Sequence, residues 1–179
     1  MAEALLRHRL EQVDPTVTVS SAGLHPGDRP ATAHGVATMA DRGLDIGSHR
    51  SRTLTRELLG GADLIIGMAR EHVREVAVTE PDALDRTFTL KELVRAAEAD
   101  GGRRPAEAVG EWLGRIGRGR RPDDLLGVGH DDAYDIEDPI GRGRADYEAT
   151  ADELDALLSR LVALAWPTAD LEDGQERSA

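Results

Sequence analysis

Asp63-Leu64-Ile65-Ile66-Gly67-Met68 carries a continuous apolar run just after a Gly60-Gly61 break. A run without polar residues at alternate positions fits a strand covered on both faces, as in a parallel sheet. Two shorter stretches supply candidate neighbours. Thr16-Val17-Thr18-Val19-Ser20 alternates like a strand, with Val17 and Val19 on one face, and Thr87-Phe88-Thr89 is short and rich in strand formers.

Helical spacing fills the intervals. Ala2, Leu5, Leu6, Leu10 and Val13 recur at threes and fours from the first residue, until Asp14-Pro15 breaks the pattern. Pro30 is expected to open a second helix, with Ala33, Val36, Ala37, Ala40 and Leu44 as its stripe and Gly43 near its stop. Thr55 suits an N-cap for a short helix over Arg56–Leu59. Residues 69–78 follow the apolar run as a helix. Thr89 and Glu92 have the spacing of a capping box ahead of Leu90, Leu93, Val94 and Ala97. Pro105 is expected to start a further helix carrying Val109, Trp112, Leu113 and Ile116. The last helix, Ala145–Ala165, bears Tyr147, Ala151, Leu154, Leu158, Leu161 and Ala165 on one seam, and Pro167 stops it. Strands alternating with helices give an α/β layered domain over residues 1–166. Residues 167–179 are polar and acidic and are expected to form a disordered tail.

Composition narrows the function classes. With 22 basic and 34 acidic residues the formal charge is −12, which disfavours a general nucleic-acid binder. The 179 residues contain no apolar run near the roughly 20 residues of a membrane span. No signal-peptide core is seen, so the cytoplasm is the expected location. There is no cysteine, and therefore no disulfide, thiolate metal site or thiol nucleophile within these residues. The histidines show no metal-ligand spacing, and neither a metal nor an organic cofactor is expected. The basic run of Arg115, Arg118, Arg120 and Arg121 reads as a solvated loop or helix end, and 122–137 as acidic loop.

Five segments, in order, carry a resemblance. They are Met1-Ala2-Glu3-Ala4-Leu5, Ser20-Ser21-Ala22-Gly23, Gly43-Leu44-Asp45 with Ser48-His49-Arg50-Ser51-Arg52, Ala62 to Met68, and Asp135-Ile136-Glu137-Asp138-Pro139-Ile140-Gly141. Together they resemble the low-molecular-weight protein tyrosine phosphatase family, to which some arsenate reductases are related. The resemblance implies a three-layer α/β fold whose mostly parallel sheet runs in the order 2-1-3-4. It implies cofactor-free hydrolysis of a phosphotyrosine protein or a small anionic phosphoester through a phosphocysteine. Asp138 would then be the general acid, and Ser21 and His49 would support the phosphate loop. A phenolate leaving group, with a conjugate acid near pKa ~10, needs such an acid at neutral pH.

The family's first strand and its Cys-x5-Arg loop have no counterpart among these residues, because the match starts where that loop runs into Met-Ala-Glu-Ala. The expectation is that Met1 is an internal methionine of a longer product and that the chain as given is inactive. Translating the upstream DNA in frame tests this, and a stop codon before any Cys-x5-Arg would sink it. Two alternatives stay open: a non-catalytic pseudo-phosphatase kept for binding, and an arsenate-reductase-type relative that uses an external thiol.

Overall fold

The structure, a computed structural model, describes residues 1–120 and 132–167. Helix α1 (Ala2–Leu10) turns Leu5 and Leu10 inward and ends at Leu10, so Val13 is left 38% exposed instead of extending the buried face. Helix α2 (Ala33–Ala40) is capped by Thr32, whose hydroxyl accepts from the Gly35 amide. Pro30 does not open this helix as expected. It is held in an antiparallel bridge to Arg50, and the helix begins only where a hydroxyl can satisfy a first-turn amide. Thr55 does cap α3 (Arg56–Gly60), accepting from the Leu58 amide.

Strand β1 (Ile65–Gly67) pairs in parallel with β2 (Thr87–Thr89), in the register Ile65 to Thr87 and Gly67 to Thr89. Helix α4 (Arg70–Thr79) and a 3-10 turn over Pro81–Arg86 make the crossover. That turn is not foreseen above. Helix α5 (Leu90–Asp100) follows β2 with no loop, and its capping box is complete: Thr89 Oγ1 accepts from Glu92 N, and Glu92 accepts from Thr89 N. Helix α6 (Val109–Ile116) starts later than Pro105 suggests. Residues 104–107 form a turn closed by a bond from Glu107 N to Arg104 O, with Ala106 at φ 64°, a conformation that cannot continue as helix. Helix α7 (Arg144–Ala165) buries every residue of the expected seam.

The layers follow from strand alternation. Leu64, Ile66 and Met68 pack on the main core, where Phe88, Leu90, Leu93, Trp112, Leu158 and Leu161 are fully or almost fully enclosed. Ile65 faces the other way, toward Leu59, Val76 and Ala83. Helix α7 is the spine of the main core and packs on α1, α2 and α5. The fold is α/β, with helices on both faces of a small parallel sheet.

Three expectations need correction. Thr16–Ser20 forms no strand. A ladder needs a neighbour, and among the described residues none runs alongside, so Val19 O instead accepts from Arg7 Nη2 at 3.1 Å. Pairing starts only at Gly23, which bridges Thr53 in the parallel sense. Leu64, Ile65 and Ile66 are half-buried, not closed off, because β1 has a hydrogen-bonded neighbour on one side only. Arg115 and Arg120 are not solvated. Arg115 binds Glu107 and Asp100, and its bonds hold the Glu107 carboxyl down to about 2. Arg120 lies 3.8 Å from the Phe88 ring centroid and pairs with Glu92. Arg121, most of the acidic loop and the tail from 168 fall outside the described residues.

Candidate active site

The Asp-Pro segment, residues 135–140, has little regular structure of its own and is fastened from three directions. Ile136 N donates to Met68 O at 2.8 Å, which ties it to the end of β1. The Asp135 carboxylate accepts from Arg70 N at 2.8 Å, placing a negative charge on the first turn of α4, where unpaired amides favour it. Lys91 Nζ, itself paired with Glu153 on α7, donates to Asp135 O at 2.7 Å. Thr150 on α7 adds a bond to Glu137 O.

Asp138 is thereby held at a fixed height above the end of β1. One of its oxygens accepts from Ile140 N at 3.0 Å, the side-chain turn that Asp readily forms. The other has no partner among the described residues. Pro139 is buried, and Gly141 takes φ 78°, the left-handed turn that lets the chain enter α7.

This segment forms one wall of a cavity of about 750 Å³. Across from it stand the first turn of α1 and Ser21, with His49 beside them. Ser21 and His49, 117 and 89 residues from Asp138 in sequence, therefore line the same cavity as the acid.

Glu3, Asp135 and His72 also line it, although neither spacing nor resemblance assigns them a role. Glu3 projects from the first turn of α1, accepts from the Ser21 hydroxyl, and pairs with Arg7. Burial pushes its carboxyl pKa up. Hydrogen bonds from Ser21 and Arg7, and the positive charges of Arg7 and His49, outweigh this and leave it below the ordinary value of 4.5. The Ser21 hydroxyl is thus already engaged by a carboxylate. His72 accepts at Nδ1 from both Met68 N (3.2 Å) and Ala69 N (3.1 Å), so in its neutral form the proton sits on Nε2. These two hydrogen bonds from backbone amides lock the turn between β1 and α4. The only advance signal for these residues was position: a carboxylate in a first helical turn, and a histidine three residues after a helix start.

Because the Glu3 pKa is depressed in the folded chain, its contribution to stability is present above the unfolded value of 4.5 and is lost as pH falls through the lower folded value. Glu3→Gln should flatten the loss of stability across that acid window and leave the slope at neutral pH unchanged. Urea titrations at stepped pH check it, and an unchanged acid slope would refute it.

Among the described residues no group of three or more His, Asp or Glu side chains is arranged to hold a metal ion, and no helix is long and apolar enough to cross a membrane.

A profile of the family described as low molecular weight phosphotyrosine protein phosphatase matches residues 1–102. A probable low molecular weight protein-tyrosine-phosphatase, EpsP, of Ralstonia solanacearum is 37% identical over 120 residues, covering 66% of this chain and 80% of the relative. A protein-arginine-phosphatase of Bacillus subtilis is 28% identical over 163 residues, covering 90% of this chain and 85% of the relative. Among solved structures, the low molecular weight protein tyrosine phosphatase from T. tengcongensis superposes with a TM-score of 0.65 at 28% identity, covering 90% of this chain and 86% of that one. The profile match takes in the side of the cavity built by the first turn of α1, Ser21, His49 and Met68, and the chain belongs to the low-molecular-weight phosphotyrosine protein phosphatase family.

Proposed function

We propose that the cavity is the leaving-group side of a phosphotyrosine phosphatase site, with Asp138 as general acid and Ser21 and His49 supporting a phosphate loop, within one unit spanning residues 1–166. The observation that carries this reading is the convergence of those three distant residues on a single cavity. In the first step the phosphoryl group passes from the tyrosyl oxygen to a cysteine sulfur, while Asp138 gives its proton to the departing phenolate. In the second, water attacks the phosphorus, Asp138 takes up the water proton, and inorganic phosphate and free thiolate are released. The reading needs no metal or organic cofactor and locates the protein in the cytoplasm.

The 179 residues hold no cysteine, so in this reading they do not carry out the first step unaided. The experiment compares the chain as it stands with the same chain joined, ahead of Met1, to a strand and Cys-x5-Arg loop of the family. The first should leave p-nitrophenyl phosphate untouched and the second should hydrolyse it. Turnover by the unextended chain, or a folded extended chain without activity, overturns the proposal. A folded, inactive chain that binds phosphotyrosine at this cavity would be the binding-module alternative.

A second reading has its own support. The match to the arginine phosphatase covers more of this chain than the match to EpsP. Glu71, Asp135, Glu137 and Asp138 also line the cavity, a carboxylate-rich wall suited to a guanidinium leaving group. Competition between phosphotyrosine and phosphoarginine peptides for the extended chain separates the two substrates.

A further inference from the structure

Three successive amides at the junction of β1 and α4 divide between two acceptors. Met68 N and Ala69 N donate to His72 Nδ1 at 3.2 and 3.1 Å, and Arg70 N donates to the Asp135 carboxylate at 2.8 Å. Met68 also accepts, through its carbonyl, from Ile136 N at 2.8 Å. The turn that seats the imidazole is therefore the turn that fastens the segment bearing Asp138. Ala69, the residue before the helix, has no side-chain oxygen to cap the first amides, so His72 supplies an acceptor from within the first turn. Gly67 lets it come close, since a Cβ there would lie 3.0 Å from His72 Cβ. The ring is not sealed off: the His72 side chain is 36% exposed.

We propose that His72 is a positioning residue for Asp138: neutral, it holds segment 135–138 through the turn from Met68 to Arg70, and protonated, it releases that segment. An imidazole nitrogen accepts only while it lacks a proton. Imidazole is also the side chain that ordinarily exchanges its proton between about pH 5 and 8. With a proton on Nδ1, the ring would turn an N–H toward two amide N–H groups, three donors without an acceptor. The ring must then swing toward solvent, and the amides of Met68 and Ala69 lose their partner. The turn no longer sets Met68 O and Arg70 N where Ile136 N and Asp135 meet them. The latch itself stands on backbone geometry, while its effect on turnover rests on the reading of Asp138 as general acid.

Other charged groups face the ring. Glu71, 3.9 Å from Nε2, and Arg74 share its helix. Asp135, Glu137 and Asp138 lie on the fastened segment, and Glu3, Arg7, Asp45 and His49 line the rest of the same cavity. Of the other elements packed on α4, β1 and β2 bear no titratable side chain, and the 3-10 turn bears Asp82, Asp85 and Arg86. A substitution that keeps the acceptor at position 72 and removes its proton separates the imidazole from all of these.

His72→Asn meets that requirement, because the amide oxygen falls near the place of Nδ1 and accepts at every pH. The test follows the 179-residue chain by NMR across pH, through the His72 ring protons and the backbone amides of Met68, Ala69 and Ile136. As His72 takes up its proton, the three amides should shift with the same midpoint as the ring. Exchange of the Ile136 amide, corrected for its intrinsic pH dependence, should accelerate by about tenfold, the worth of one or two hydrogen bonds. In H72N these coupled changes should vanish, while those driven by His49 and the carboxylates persist. An Ile136 amide that ignores the His72 titration overturns the proposal. So does an H72N chain that keeps the coupled transition, or a His72 that stays neutral until the chain unfolds. Should H72N misfold, the titration of the parent alone decides. In the chain extended by the Cys-x5-Arg loop, kcat/KM for phosphotyrosine should fall more steeply toward acid pH in the parent than in H72N. Equal profiles in an active extended chain overturn the positioning of Asp138 by His72. An inactive extended chain beside an intact NMR coupling would instead count against the phosphatase reading and leave the latch standing.

Discussion

Asp138→Asn, in a chain extended by the Cys-x5-Arg loop, is expected to lower kcat for phosphotyrosine by about 10²–10⁴-fold, the usual worth of a placed proton donor. The substitution suits the question because Asn keeps the side-chain oxygen that accepts from Ile140 N. The loop then keeps its anchorage through Met68, Arg70 and Lys91, and only the transferable proton is lost. The effect should depend on the leaving group. p-Nitrophenolate departs without help far more readily than a tyrosyl phenolate, so its kcat/KM, which reports phosphoryl transfer and not the later hydrolysis, should fall less, and a plot of log kcat/KM against leaving-group pKa should steepen. A uniform loss of kcat/KM across leaving groups would mean that Asp138 shapes the cavity without donating a proton, and the assignment would fail.

Trp112→Ala is the substitution with the largest expected effect on stability. The indole is completely enclosed on α6 within the main core, and its removal should cost about 3–5 kcal/mol through lost burial and a residual cavity. Against the ~5–15 kcal/mol typical of whole domains, that approaches global unfolding. Trp112→Phe makes a sharper comparison. Among the described residues the buried indole Nε1–H has no hydrogen-bond partner, and an unpaired buried donor costs about 1–3 kcal/mol. Phenylalanine gives up volume but also removes that donor, so its net cost should fall well below that of alanine. Denaturant midpoints for both variants check this, and a Phe variant as unstable as the Ala variant would show that the N–H is satisfied in solution.

What could be read from the sequence was what depends on neighbours along the chain. The seam of α7 is visible because periodicity alone determines which residues face the core, and Tyr147 takes its place in that seam. The Thr89–Glu92 capping box is visible because both partners lie within one turn. Thr16–Ser20 misleads because alternation reports strand propensity, whereas a strand exists only if another lies beside it. Pro30 and Pro105 mislead because each permits a helix start without requiring one. A bridge to Arg50 occupies the first, and a turn through Ala106 follows the second. At the site, Asp138, Ser21 and His49 could be named only through resemblance. Glu3 escaped notice because its role comes from Ser21, which the fold alone brings to it.

The packing of α1 on α7 has a consequence for biosynthesis. The first and last described helices complete one core, and Arg9 reaches Asp155 across 146 positions of sequence. During vectorial synthesis Leu5 and Leu10 leave the ribosome early and have no permanent partner until the chain has grown past about residue 165. At ~5–20 residues per second that interval is on the order of ten seconds, long enough for an uncovered apolar face to engage a chaperone or a neighbouring nascent chain. Truncation within α7 should therefore be felt at the opposite end of the polypeptide, as loss of protection in α1.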